Sequence, residues 1–114
     1  MVNKWDICYC NLDPTQGSEQ RGTRPVIVIS NNAVNHNLTV STVLPLSSVK
    51  PEDKIYPTEV LLEVGVTGLP KNSVAMIQQV RTVAHSRLES PIGSLQDAKA
   101  RGQILEAIRM YFEV

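Results

Sequence analysis

A chain of 114 residues with 42% hydrophobic side chains is long enough for one domain with a real core and too short for two. We therefore expect a single domain over residues 1–114. Lys plus Arg number 11, as do Asp plus Glu, so the whole molecule has no net charge that would attract a polyanion. A nucleic-acid site on this chain would have to be a local cluster of basic residues.

Two kinds of sequence signal are missing. Cys8 and Cys10 lie on the same side of a strand-like segment, but a C-x-C pair without a nearby histidine matches neither zinc spacing nor good disulfide geometry. We expect reduced packing residues, no metal ion and no other cofactor. The N-terminus shows neither a long apolar run nor a cleavage site, so we expect a cytoplasmic protein without a membrane segment.

The hydrophobic pattern before the C-terminal segment predicts short strands separated by loops. Alternating or β-branched apolar residues predict strands at 5–12, 25–29, 38–46, 58–63, 73–77 and 80–83. Glycine, asparagine and charged residues predict loops at 15–24, 31–37, 50–56 and 65–72. Ser47 follows the end of the predicted third strand.

The spacing of the apolar residues changes near the C-terminus from a strand pattern to a helical one. Ser94 and Asp97 have the spacing of a capping box, which predicts a helix beginning near Leu95. Its predicted apolar stripe consists of Leu95, Ala98, Leu105, Ile108 and Phe112. Five or six short strands must hide their edges, so we predict a mainly β fold: a small SH3-like β-barrel with a C-terminal α-helix.

Candidate chemistry lies in the loop before the second strand. Glu19 and Arg24 are five residues apart, and Gly22 lets the segment fold back, so a carboxylate and a guanidinium can face one phosphate. Pro25 fixes the chain just after the arginine. Metal-free chemistry at a phosphate diester needs proton transfer at two oxygens and a cation for the charge that grows on phosphorus.

The same loop carries a family resemblance. Residues 13–26 read D-P-T-Q-G-S-E-Q-R-G-T-R-P-V, which resembles the D-P-x-x-G-x-E-Q-x-G-x-R-P-x signature of MazF/PemK toxins. The segments 44–47 (L-P-L-S), 57–60 (P-T-E-V), 79–83 (Q-V-R-T-V), 87–88 and 92–93 extend the resemblance over nearly the whole chain. One departure is Trp5, where the family usually has glycine.

The resemblance implies a sequence-specific, metal-independent endoribonuclease that cuts single-stranded mRNA. It further implies a homodimer, products with a 2′,3′-cyclic phosphate and a 5′-hydroxyl, and a cognate antitoxin. Such antitoxins are usually acidic and disordered until bound. We expect an acidic antitoxin segment to cover Arg24 or displace the loop at 15–23, and a complex that leaves this surface open to RNA would contradict that.

Carried over residue by residue, the resemblance gives Arg24 as the catalytic arginine, with charge stabilisation ranked before proton donation. Ser47 stands where the family usually has a catalytic threonine, with Ser48 as a rival. Glu19 is either a base or a loop organiser. The residues expected to contact the substrate are Gln20, Thr23, Ser48, Arg81 and Arg87, although ion pairs or hydrogen bonds across a dimer interface are an equal alternative for the last two.

A hypothesis from another class is a toxin that poisons DNA gyrase by protein contact, as CcdB does on a similar barrel. That reading needs neither Arg24, Glu19 nor Ser47, and activity would instead depend on residues 111–114 of the terminal helix. An inactive relative retained for complex formation is a third hypothesis, and its only support is serine at position 47.

Overall fold

A computed structural model describes all 114 residues, which form seven short strands, three helices and two 3₁₀ turns. The strands are β1 (Asp6–Asn11), β2 (Thr23–Val28), β3 (Val40–Ser48), β4 (Glu59–Leu62), β5 (Ser73–Met76), β6 (Arg81–Ala84) and β7 (Gly93–Ser94). The helices are α1 (Asn32–Asn37), α2 (Val64–Thr67) and α3 (Ala98–Phe112), with single 3₁₀ turns at Ile77–Gln79 and His85–Arg87. None of the helices has the length and apolar character needed to cross a membrane.

The strands form one antiparallel sheet in the order β4-β5-β3-β2-β1-β7, with β6 also pairing to β3. The long strand β3 organises it, because its first part pairs with β6, its middle with β2 and its last three residues with β5. The sheet therefore curls into a half-barrel. This confirms the predicted fold class, a mainly β small-barrel architecture with a C-terminal helix.

Opposite faces of the sheet carry separate apolar clusters. The larger contains Leu44 and Leu46 of β3 together with side chains of α3, so the helix covers that face. The smaller contains Cys8 and Cys10, both fully buried and unpaired, which confirms their predicted packing role. Burial raises the pKa of the Cys8 thiol to about 11, so the thiol stays protonated at neutral pH.

The start and the buried face of the terminal helix both differ from the prediction. α3 begins at Ala98, and its N-cap is Asp97, whose side chain accepts the Ala100 N–H at 2.8 Å. Ser94 does not cap the helix, because it lies in β7 and pairs with Asp6 of β1. The buried helical residues are Ala100, Ile104 and Ala107. The predicted stripe was wrong at Ala98, Leu105 and Phe112, which are exposed, whereas Ile108 packs against the larger cluster and Leu95, just before the helix, is fully buried. The small side chains of two alanines bring the helix close to the sheet.

Two segments predicted as loops contain helical turns. Residues 31–37 were predicted as a loop, yet Asn31 accepts the Val34 N–H at 3.0 Å and caps α1. Asn35 is buried in α1, where its side chain binds Ser30 and Ser41. The other helical turn is α2, which lies within the segment predicted as turn-rich connection and ends at Gly68 in the left-handed conformation.

Strand β3 runs further than predicted, so Ser47 lies within it rather than after its end. The β2–β3 ladder nevertheless stops at the Val26–Pro45 pair. Pro25 and Pro45 have no N–H to donate, which explains why backbone pairing does not continue there. Beyond this pair β3 turns away to β5, and the strand ends of β2 and β3 separate.

Candidate active site

A cavity of about 290 Å³ opens where β2 and β3 separate. Its lining includes the cations Arg21, Arg24 and Lys71, as well as Tyr9, and contains no carboxylate or histidine. We call it the cation cavity. It is the local concentration of positive charge that a nucleic-acid site needs on a molecule without net charge.

Arg24 is held by its own loop. It lies near the start of β2 opposite Cys10, half-buried, and its Nε donates to the Arg21 carbonyl at 2.9 Å. That hydrogen bond orients the plane of the guanidinium and leaves the Nη hydrogens for a ligand. The arrangement suits a cation that must meet a phosphate in one orientation.

Ser47 and Ser48 stand in different relations to Arg24. Side chains alternate along a strand, so Arg24 shares a face with Val26, and Ser47 shares a face with Pro45. Val26 and Pro45 are register partners, which places Ser47 and Arg24 on the same side of the sheet. Ser48 points to the other side and lines the cation cavity. Ser47 therefore lies on the same face of the sheet as Arg24, whereas Ser48 lies on the opposite face but lines the same cavity as Arg24.

Glu19 does not meet Arg24. Its carboxylate Oε1 accepts the Gln16 N–H at 2.5 Å while its own N–H donates to the Gln16 carbonyl at 3.1 Å. These reciprocal bonds close a turn within the β1–β2 loop, residues 12–22. Glu19 lines a second cavity, of about 180 Å³, together with Gln20 and Arg81. The structure therefore does not assemble the predicted carboxylate–guanidinium pair.

The two ends of the β1–β2 loop are tied together at its base. Asp13 Oδ1 accepts the Gly22 N–H at 3.2 Å, and the Leu12 N–H donates to the Gly22 carbonyl at 3.0 Å. Gly22 has φ of +78°, a left-handed conformation that glycine adopts without strain. The loop thus returns to the sheet directly before Arg24.

Gln20 contacts the rest of the protein through its backbone. Its N–H donates to Gln79 Oε1 at 3.2 Å, and Gln79 Nε2 donates in turn to the Ser18 carbonyl at 3.1 Å. The side-chain oxygen of Gln20 is buried without a hydrogen-bond partner. Thr23, at the first position of β2, is exposed and lines the cation cavity.

Arg81 and Arg87 both hold the end of β1. Arg81 Nη1 donates to the Leu12 carbonyl at 2.6 Å, and Arg87 Nη1 donates to the Asn11 carbonyl at 3.1 Å and to the Asp13 carbonyl. Neither lines the cation cavity. Burial raises the pKa of the nearby Cys10 thiol, and the two guanidinium charges oppose that rise.

Comparison with known proteins decides the family. Residues 3–112 match the family model described as "PemK-like, MazF-like toxin of type II toxin-antitoxin system". The chain belongs to the MazF/PemK toxin family. It is 35% identical to "Endoribonuclease MazF9" of Mycobacterium tuberculosis, an alignment that covers 100% of this chain and 98% of that protein. It is also 35% identical to "Endoribonuclease MazF" of Staphylococcus saprophyticus, over 89% of this chain and 83% of that protein.

Solved structures of MazF proteins share the fold. "Mycobacterium tuberculosis toxin MazF-mt6" superposes with a TM-score of 0.77 at 28% identity, covering 96% of this chain and 97% of that one. MazF from Deinococcus radiodurans superposes with a TM-score of 0.83 at 23% identity, covering 99% and 97%. The second likeness shows the fold alone, whereas the family itself rests on the sequence matches.

Sequence reasoning about this MazF-family chain missed several residues near Arg24. Tyr9 and Lys71 line the cation cavity from β1 and from the segment before β5. Arg21 lies in the quoted signature, but its carbonyl matters as much as its charge. Gln79 lies in the segment 79–83 that resembles the family, but it is so far along the sequence from the β1–β2 loop that its contacts with Ser18 and Gln20 could not be predicted.

Proposed function

We propose that this chain, as one toxin domain over residues 1–114, cleaves single-stranded mRNA at specific sequences without a metal ion. The observation that carries the proposal is the Arg24 guanidinium, held by its Nε at the edge of a cavity that contains two further cations. Membership of the MazF/PemK toxin family and the endoribonuclease names of both curated relatives support it.

In the proposed reaction the 2′-oxygen of a ribose attacks the adjacent phosphorus as the bond from phosphorus to the 5′-oxygen breaks. The 2′-hydroxyl passes its proton to a solvent water and the leaving 5′-oxygen takes one from a solvent water, since no carboxylate or histidine lines the cavity. The products therefore carry a 2′,3′-cyclic phosphate and a 5′-hydroxyl. Negative charge increases on the phosphoryl oxygens in the transition state, and the Nη groups of Arg24 stabilise it. A guanidinium holds its protons too tightly to be a strong acid, so charge stabilisation is the main role of Arg24.

The hydroxyl of Ser47 is proposed to bind the scissile phosphate from β3. Its place on the same side of the sheet as Arg24 supports this role, although Ser47 itself does not line the cation cavity. Glu19 is assigned to loop organisation, because its carboxylate already accepts the Gln16 N–H. Thr23 and Ser48, with Arg21 and Lys71, line the path of the neighbouring backbone.

The remaining predicted contacts act on the architecture of the site. Gln20, Arg81 and Arg87 hold the β1–β2 loop and the end of β1, and we propose that they shape the RNA-binding surface from behind. An arginine committed to a backbone carbonyl has fewer donors left for phosphate. Loss of these hydrogen bonds would therefore disturb the loop rather than remove a contact with phosphate.

The proposed partners are a second copy of the chain and an acidic antitoxin, in the cytoplasm where mRNA is present. Among the structural neighbours are complexes titled "MazE-MazF" from Deinococcus radiodurans and an endoribonuclease "in complex with its cognate antitoxin" from a mycobacterial species. An acidic segment is attracted to the cation cavity for the same electrostatic reason as RNA. The gyrase-poison alternative is not favoured, because the curated relatives are named endoribonucleases.

Replacing Ser47 with alanine is expected to lower the rate of RNA cleavage roughly 10- to 100-fold, the effect of losing one hydrogen bond to a charged group. Ser48→Ala is the matched control and is expected to change the rate less than about threefold, since a contact with a neighbouring, unreacting phosphate is the same in the ground state and in the transition state. Cleavage of a long single-stranded RNA in EDTA measures both, with DNA of the same sequence as an uncut substrate. A larger loss in Ser48→Ala would transfer the role to Ser48.

A further inference from the structure

Gln79 connects the β1–β2 loop to a distant part of the chain. It ends the 3₁₀ turn Ile77–Gln79, 59 residues after Gln20 and 61 after Ser18. One atom of its amide accepts the Gln20 N–H and the other donates to the Ser18 carbonyl. An amide side chain can do both at once, because it carries a donor and an acceptor on the same carbon.

The loop has little else to hold its tip. The side chains at positions 16, 18, 19 and 21 are exposed, and the loop's own hydrogen bonds join residues within 13–22. Both hydrogen bonds that reach residues 14–21 from a distant part of the chain come from Gln79. A polar, exposed loop without such support would sample many conformations.

The loop tip leads directly to the catalytic arginine. Arg21 follows Gln20 in the chain, and its carbonyl accepts Arg24 Nε at 2.9 Å. The peptide group that contains this carbonyl is held on one side by the Gly22 N–H, which donates to Asp13 Oδ1, and on the other by Gln20, whose N–H donates to Gln79. The direction of the guanidinium depends on the carbonyl. Gln79, Gln20, Arg21 and Arg24 therefore form one continuous chain of contacts from the 3₁₀ turn to the guanidinium.

We infer that Gln79 is a positioning residue for RNA cleavage: by fixing the β1–β2 loop at Ser18 and Gln20, it sets the Arg21 carbonyl that orients Arg24. The inference rests on the proposed ribonuclease function for its kinetic consequence. Its structural part, the order of the Arg24 side chain, stands independently of any activity. Positioning of a catalytic group supplies a large share of the rate in such reactions, so loss of Gln79 acts on kcat.

The test compares the wild type with Gln79→Met, which keeps the length of the side chain and removes both hydrogen bonds. Gln79→Glu, which keeps an acceptor and loses the donor, is a second variant in case the first does not fold. Gln96→Met is the control, since Gln96 is exposed and far along the chain. The first readout is hydrogen exchange of the Arg24 Nε–H by NMR, with the signal identified by its loss in Arg24→Lys. The second is kcat and KM for RNA cleavage.

In Gln79→Met we expect exchange of the Arg24 Nε–H to become about tenfold faster and kcat to fall about tenfold, with KM and the thermal midpoint little changed. Gln79→Glu should fall between this variant and the wild type. Unchanged exchange at Arg24 in both variants would overturn the inference, as would faster exchange with undiminished kcat. If the wild-type protein cut no RNA, the proposed function would fail, and the exchange data would still decide whether Gln79 orders Arg24.

Discussion

Replacing Arg24 with alanine is expected to lower kcat for RNA cleavage about 10²–10³-fold, the usual consequence of removing one preorganised donor from a developing oxyanion. The guanidinium is fixed by its Nε bond to the Arg21 carbonyl, so it is in place before the charge develops. RNA affinity should fall much less, because Arg21 and Lys71 remain in the cavity. Single-turnover cleavage with saturating protein separates the two effects.

Two further variants sharpen this result. Arg24→Lys should recover only a small part of the lost rate, because an ammonium cannot both donate to the Arg21 carbonyl and present a planar pair of donors. Arg21→Ala is the matched control: it removes a neighbouring cation of the same cavity, whose Nη2 binds the Gly17 carbonyl at 3.1 Å. If Arg21→Ala were as damaging as Arg24→Ala, the cavity would act through charge alone and Arg24 would have no special role.

Replacing Ile104 with alanine is expected to lower the free energy of unfolding by about 2–5 kcal/mol, as for other large-to-small changes in a core. Ile104 is fully buried in the cluster between α3 and the sheet. Leu105→Ala, one residue along, should cost less than about 1 kcal/mol, since its side chain is 38% exposed. Urea denaturation at fixed protein concentration measures both.

The pair of variants tests the orientation of the helix as well as its stability. The prediction placed Leu105 and Phe112 on the buried face together with Ile108, whereas the buried residues are Ala100, Ile104 and Ala107, with Ile108 packed beside them. A larger loss of stability in Leu105→Ala than in Ile104→Ala would mean that α3 packs on the sheet with the face predicted from sequence.

The helix shows why periodicity predicted the element and not its buried face. Large apolar side chains lie on more than one side of α3: Ile104 is buried, while Leu105 and Phe112 are exposed, so they do not mark one face. The two buried alanines allow close approach to the sheet. Alanine is apolar but contributes little to a hydrophobic stripe. The strands were predictable because alternation and β-branched runs depend on neighbouring residues alone.

The short helix α1 was missed for a different reason. Asparagine is common in loops, which is why residues 31–37 read as one. In the structure Asn31 caps the helix and Asn35 is buried in hydrogen bonds with Ser30 and Ser41. These partners come from β3 and the segment after β2, so only the tertiary fold could reveal them.

The candidate site was predictable in part. The signature loop gave Arg24 and the glycines that bend the chain, and Arg24 does line a cavity with other cations. The residues that complete the cavity or hold the loop, such as Tyr9, Lys71 and Gln79, are distant in sequence and come together only when the sheet curls. Local pattern cannot predict such long-range contacts.

Trp5 stands where the family usually has glycine, and its backbone conformation shows why glycine is common there. Its φ is +76°, in the left-handed region, which explains why glycine suits this position. Trp5 is 8% exposed and belongs to the larger core cluster, with the Arg101 guanidinium 5.3 Å from the ring centre. Its burial indicates a packing role for Trp5.

The measurement that tests the central claim most directly is the chemistry of the cut ends. Purified protein is incubated with a long single-stranded RNA in EDTA, and the fragments are analysed by mass spectrometry and sequencing. We expect cuts at a recurring sequence, with a 5′-hydroxyl on one fragment and a 2′,3′-cyclic phosphate on the other, absent in Arg24→Ala. Fragments with 5′-phosphate ends, cuts that need added Mg²⁺, or an uncut RNA would contradict the proposed mechanism.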